Sequence, residues 1–178
     1  MRISGGRARG VRLKVPPGAR PAAERVRQAV FSSLGPRIEG ARVLDLYCGS
    51  GAYALEALSR GASYAMGVDS DPRAVAAARA NAAAAGLDAA FVKRDASSFA
   101  GAEAGRRGPF DVVFCDPPYG QADAGQLLPR LRPALSADGI VVIEQRFTPD
   151  EPPVPSGWIL VADRRYGDTR LLTYRQGD

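Results

Sequence analysis

Residues 110–120 read FDVVFCDPPYG, a run of strand formers that stops on Asp116, Pro117, Pro118 and Tyr119. A proline biases the residue before it toward extended geometry, so Asp116 is expected to aim its carboxylate past the end of the strand. The two prolines have fixed φ and no N–H, so the turn offers hydrogen-bond acceptors without those donors. Acceptors are what the exocyclic amino group of a nucleobase needs. A tyrosine that follows can stack on the ring, a sequence-tolerant contact worth roughly 1–3 kcal/mol.

Three further acids fall at the carboxyl ends of expected strands: Asp45, Asp69 and Asp95. Asp45 precedes the glycine turn Cys48-Gly49-Ser50-Gly51, and Gly49-x-Gly51-x-x-Ala54 fits a dinucleotide fingerprint. Glycines after a first strand let backbone approach a ligand, and an acid ending the second strand accepts from ribose hydroxyls. Asp45, however, places negative charge where a pyrophosphate would lie. A cofactor with a ribose and a cationic centre suits these acids better, and S-adenosylmethionine is such a cofactor.

These groups need a frame that brings strand ends together. ARVLDLY, SYAMGVD, DAAFVKRD, FDVVFCD and GIVVIEQ read as strands. Between them, the glycine turn leads into a helix through about Arg60, and Asp71-Pro72 supplies a cap and first-turn proline for an alanine-rich helix ending at Gly86. A further helix is expected over about 123–132, limited by Pro129 and Pro133. Alternation of this kind predicts an α/β, Rossmann-like, doubly wound and mostly parallel sheet that binds ligands beyond its strands' carboxyl ends. Strands near 158–165 and 169–175, joined at YGDT, are too close for a crossover helix. They are expected to form an antiparallel hairpin, or one of them to insert beside the fifth strand.

The chain has 178 residues, 46% hydrophobic and 24% charged, which suits one soluble domain over 1–178. No apolar run reaches the roughly 20 residues of a membrane span and no apolar signal core opens the chain, so a cytoplasmic address is expected. Histidine is absent, which excludes histidine general bases and Ser-His or Cys-His nucleophiles; the two cysteines, Cys48 and Cys115, form neither a disulfide framework nor a metal motif. Residues 1–37 carry nine Arg or Lys against Glu24 alone, whereas residues 38–178 carry fifteen bases and eighteen acids. The positive charge therefore belongs to the N-terminal stretch. Arg2, Arg7, Arg9, Arg12 and Lys14, interleaved with Gly5, Gly6 and Gly10, read either as a solvated tail or as a basic arm for nucleic-acid phosphates, the second being favoured. A helix starts after Pro21 and ends at Gly35-Pro36.

Asp116–Tyr119 resembles the [DNS]-P-P-[YF] signature of amino-group methyltransferases. Together with RISGGRARGVRLKVP, RPAAERVRQAVFSSL, VLDLYCGSGAYALEALSRGA and the terminal YGDTRL, it makes nearly the whole chain similar to the bacterial 16S ribosomal RNA guanine-N2 methyltransferase family. That resemblance implies a class I, S-adenosylmethionine-dependent methyltransferase with a seven-stranded sheet and an antiparallel C-terminal strand. It implies cofactor contacts from Asp45, Gly49, Gly51, Asp69 and Asp95, with Arg20 near that pocket and Asp116, Pro117, Pro118 and Tyr119 holding the target amine. The substrate implied is a guanine of 16S rRNA in an assembled or assembling small ribosomal subunit, modified by a monomer without metal. The chain departs from the family pattern at Ala22 and Ala23, where hydroxyl residues are usual, and at Cys48, where alanine is usual. An adenine-N6 or glutamine-N5 methyltransferase, or a noncatalytic RNA-binding assembly factor, are the alternative readings.

Overall fold

The computed structural model describes residues 1–16, 24–118 and 124–177. Seven strands form one sheet in the order β3-β2-β1-β4-β5-β7-β6. They are β1 (Arg42–Leu46), β2 (Tyr64–Asp69), β3 (Ala90–Lys93), β4 (Phe110–Cys115), β5 (Leu135–Arg146), β6 (Trp158–Tyr166) and β7 (Thr169–Gln176). β1 through β5 pair in parallel, β7 lies antiparallel to β5, and β6 pairs with β7 as a hairpin. Both arrangements expected for the last two strands therefore hold at once.

The chain order reverses at β1, which leaves a crevice between the carboxyl ends of β1 and β4. These strands are buried on both faces and read as nearly continuous apolar runs, as in a sheet covered on both sides. One face packs on α1 (Glu24–Leu34), α2 (Ala52–Ser59) and α3 (Pro72–Ala85); the other packs on α4 (Ala96–Phe99), α5 (Ala102–Arg107) and α6 (Ala124–Leu131). The α3 cap is the expected one: Asp71 accepts from the Arg73 amide, Pro72 occupies the first turn, and Gly86 closes the helix at φ 62°. α4 and α5 are too short to produce a readable period, and they fill the connection between β3 and β4. α6 runs through Pro129 to Leu131, and Pro133 lies in the first turn of the 3₁₀ helix Arg132–Ala134 that follows.

The N-terminal stretch is not a free arm. An isolated Arg2–Arg12 bridge and backbone bonds from Ile3 to Val11 and from Leu13 to Met1 fold it into a hairpin. Ile3, Ala8 and Leu13 are buried in the core beside α1 and α2. The Ser4 amide and hydroxyl donate to Glu56, the Arg7 amide to the Ser59 carbonyl, and the Lys14 amide to Asn81. Gly5 and Gly6 serve this docking rather than a ligand: a Cβ on either would collide with Arg60 or the Ser59 carbonyl, and Gly6 sits at φ 76°. Arg27, counted with the basic stretch, is wholly buried and pairs with Glu56 at 3.3 Å. Arg2, Arg7, Arg9, Arg12 and Lys14 remain exposed.

Candidate functional site

The site is built from the ends of β1, β2 and β4. After Leu46 the chain turns sharply, with Tyr47 at φ 61°, Gly49 at 52° and Gly51 at 79°. Tyr47 is the only non-glycine residue in the left-handed region among those described, and its hydroxyl meets Ser97 Oγ at 3.1 Å. Left-handed geometry is costly for a residue with a Cβ and persists where the surroundings impose it. Gly51 opens α2, and a Cβ there would press on the Phe91 ring at 2.8 Å. Around Gly49, by contrast, a Cβ would meet nothing within 4 Å, so its backbone faces open space.

Asp45 points from β1 toward α2, where its carboxylate accepts from the Ala54 amide at 3.1 Å. It is 2% exposed. Burial pushes its pKa up to about 8; the Ala54 bond works against that shift, and the charges of Asp116 and Asp69 add to it. The free protein therefore holds a buried carboxyl beside an open glycine turn, with two more acids nearby. A cation placed there would favour the ionised form.

Asp69 is half-buried and accepts twice, from the Gly49 amide and from the Asp71 amide, each at 2.9 Å. It thus ties the glycine turn of β1 to the start of α3. Asp95 is exposed and caps α4, its Oδ1 accepting from the Ser98 amide at 2.8 Å and the Ser98 hydroxyl at 2.7 Å. These bonds hold its pKa below the ordinary carboxylate value. Capping accounts for an acid at that position before any ligand is invoked.

Asp116 follows β4 and is half-buried, Pro117 is buried and Pro118 is exposed. Arg20 and Tyr119 lie outside the described residues. Asp45, Gly49, Gly51, Asp69 and Asp116–Pro118 therefore gather at one end of the sheet, with Asp95 nearby on the β3 side. Asn81 Nδ2 donates to the carbonyls of both Lys14 and Ser50, which ties the basic N-terminal hairpin to the glycine turn.

Two functional candidates escaped the sequence reading. The Tyr53 hydroxyl donates to Glu144 Oε2 at 2.9 Å, linking α2 to β5 inside the core. Burial first, then Glu144, Asp116 and Asp45, push the Tyr53 hydroxyl well above its ordinary value, so it stays a donor. Its ring stacks on Phe114, centroids 4.7 Å apart, and Phe114 lies two residues before Asp116. The signal for Glu144 was an acid inside the apolar run GIVVIEQ; a buried strand carries such a group only with a partner. Nothing in the sequence marked Tyr53 apart from helix-face apolarity. Both cysteines are buried free thiols whose pKa burial raises well above the ordinary value, and no group of His, Cys, Asp and Glu among the described residues could hold a metal.

Comparison with known proteins gives a consistent set of relatives. The family described as "Conserved hypothetical protein 95" matches residues 1–175. The "Ribosomal RNA small subunit methyltransferase D" of Escherichia coli K12 is 34% identical over 182 residues, covering 99% of this chain and 90% of the relative. The solved structure of yhhF from Escherichia coli superposes with a TM-score of 0.86 at 32% identity, covering 99% of this chain and 98% of that one. That of the hypothetical protein TTHA0928 from Thermus thermophilus gives 0.82 at 35% identity, covering 97% and 98%.

Proposed function

The chain belongs to the family described as Conserved hypothetical protein 95, and from that premise we propose that it methylates the exocyclic N2 amino group of a guanine in 16S ribosomal RNA of the small subunit. The observation that carries the reading is the convergence of Asp45, the Gly49–Gly51 turn and Asp69 with Asp116-Pro117-Pro118 at one end of the sheet. The fold is that of a class I methyltransferase, with a seven-stranded sheet ending in an antiparallel strand.

The residues present fit S-adenosylmethionine. Asp45 offers a buried carboxyl for a cationic group, Gly49 leaves open space, and Asp69 retains acceptor capacity beyond its two backbone donors. Bound there, the cofactor supplies a methyl group already activated on a sulfonium, so the chemistry needs no metal and no covalent enzyme intermediate. The protein's own task is orientation. Asp116 Oδ and the Pro117 carbonyl accept the two hydrogens of the target amine, turning its lone pair out of conjugation and away from these acceptors. Pro117 and Pro118 offer no N–H to compete for that lone pair. Asp116 or water then takes the proton released. Catalysis on this account rests on positioning and fixed electrostatics.

The target base must leave its stack to reach a turn at the end of β4. Arg2, Arg7, Arg9, Arg12 and Lys14, exposed on a docked hairpin, supply phosphate contacts as a rigid surface. The test offers labelled S-adenosylmethionine with undermodified small subunits, stripped 16S RNA and duplex DNA, then digests each to nucleosides. Label in N2-methylguanine from subunits or 16S RNA is the expected result. Label in adenine, or a preference for DNA, would overturn the guanine assignment.

A further inference from the structure

A groove of about 280 Å³ lies away from the glycine turn, between α1 and the face of β5, β7 and β6. It exists because β5 and β6 are joined by the Pro-rich loop of 147–157 rather than by a helix that could cover this face. Its floor is apolar, with Ile140, Val142 and Leu171, and its rim carries Arg37, Arg164 and Arg175 against Asp138, the one acid lining it among the described residues. None of these arginines takes part in an ion pair among the described residues. Arg37 instead reaches the backbone carbonyl of Asp138, and Arg175 that of Gln176.

The groove points at the site. β7 is antiparallel to β5, and the pairing of Tyr166 with Thr169 and of Thr169 with Arg146 puts Tyr166 at the carboxyl end of β5, the end where Asp116 follows β4. Arg175 pairs with Ile140 at the opposite end. Six strand residues separate the two ends, about 20 Å, which leaves room for a short stretch of single strand. Three guanidiniums along an apolar floor, with a half-buried tyrosine where the groove nears the catalytic rim, match a single strand that places bases inward and phosphates outward.

We propose that this groove is a second RNA track, holding a single-stranded segment that flanks the methylated base. The proposal rests on the RNA-methylating reading above. It makes binding bidentate: the N-terminal hairpin grips on the α2 side, and the groove receives the strand on the far side of α1.

The experiment uses the full chain with Arg37, Arg164 and Arg175 changed together to Gln, and a second variant with all three changed to Lys. Affinity for a 16S RNA fragment is measured by fluorescence anisotropy across salt concentrations, and S-adenosylmethionine affinity by calorimetry. The Gln variant is expected to lose about 2–3 units of the log-log salt slope, near 0.7–0.9 per phosphate contact, with cofactor affinity unchanged. The Lys variant should keep the slope. A Gln variant with the parent slope and affinity rejects the groove while leaving the methylation reading intact, provided the parent labels guanine. Equal loss in both variants also rejects it, as would occupation of the groove by an acidic peptide but not by RNA. If the parent neither binds nor methylates 16S RNA, both proposals fall.

Discussion

The Gly49 amide donates to Asp69 Oδ2 at 2.9 Å, so the acid that ends β2 fixes the turn that follows β1. Asp69 is thereby both a part of the turn's geometry and a candidate ribose acceptor. Asp69→Ala is expected to weaken S-adenosylmethionine binding by about 1.5–3 kcal/mol, the scale of hydrogen bonds to a charged group. Calorimetry that finds unchanged affinity rejects the cofactor role.

Asp45 gives two pH dependences of opposite sign. Its folded pKa is about 8 against an ordinary value of 3.8, because burial disfavours the charged form. A raised folded pKa means the folded state binds the proton more tightly, so the contribution to stability is complete below about pH 4. It is lost as pH rises toward 8 and is flat above that. Binding of a cation favours the carboxylate, so cofactor affinity should instead rise with pH up to about 8. Asp45→Asn is expected to flatten both curves. Urea midpoints and calorimetry from pH 5 to 9 check the pair, and a variant that keeps either slope points to another group.

The N-terminal hairpin separates charge from structure. Deleting residues 1–14 removes the buried side chains Ile3 and Leu13, a loss of about 3–6 kcal/mol at the usual worth of such burial. It also strips Ser4 from Glu56, whose charge is opposed by burial and held by Ser4, Arg60 and Arg27. Truncation is therefore expected to lower the melting temperature, and it cannot isolate an RNA contact. Changing Arg2, Arg7, Arg9, Arg12 and Lys14 to Gln should leave thermal stability near the parent's while flattening the log-log salt slope by about 4 units, if each meets a phosphate. An unchanged slope reduces these residues to solvated surface.

What could be read before folding was what local physics dictates. RVLDL, YAMGVD and FDVVFC are apolar runs of strand length, and the acids at their ends are placed by the strands themselves. Asp71-Pro72 and Gly86 carry their own capping chemistry. What stayed hidden depends on contacts distant in sequence. Ile3, Ala8 and Leu13 follow neither a helical nor a strand period, so their burial against α1 and α2 left no pattern, and the glycines between them looked available to a ligand. Asp95 resembled Asp45 and Asp69 in position, yet the chain after β3 turns at once into α4 and uses it as a cap. Tyr53 and Glu144 are 91 residues apart and meet only when α2 crosses β5.

That meeting has a measurable worth. Tyr53→Phe keeps the stack on Phe114 but removes the Tyr53 hydroxyl bond to Glu144 Oε2. The expected cost is about 1–3 kcal/mol, read from the urea midpoint at constant slope. A neutral result means that another group satisfies Glu144 Oε2 in place of the hydroxyl.

Asp116 lies near enough to Asp45 to help raise that residue's pKa, and it opens the Asp116-Pro117-Pro118 turn. Removing its charge should therefore leave the cofactor site assembled and lower the Asp45 pKa, so S-adenosylmethionine binds Asp116→Ala at least as well as the parent near pH 7. Methyl transfer should behave differently, because the amine loses one of the acceptors that turn its lone pair. Loss of a single preorganised hydrogen bond to the reacting group costs about 10²–10³ in rate. Single-turnover kinetics on saturating 16S RNA measure the chemical step apart from binding. Asp116→Asn sharpens the distinction: its amide keeps one acceptor oxygen but cannot take the released proton. An Asn variant faster than the Ala variant assigns Asp116 to orientation, equal slowing of both assigns it to proton removal, and parent-like rates in both exclude it from the reaction.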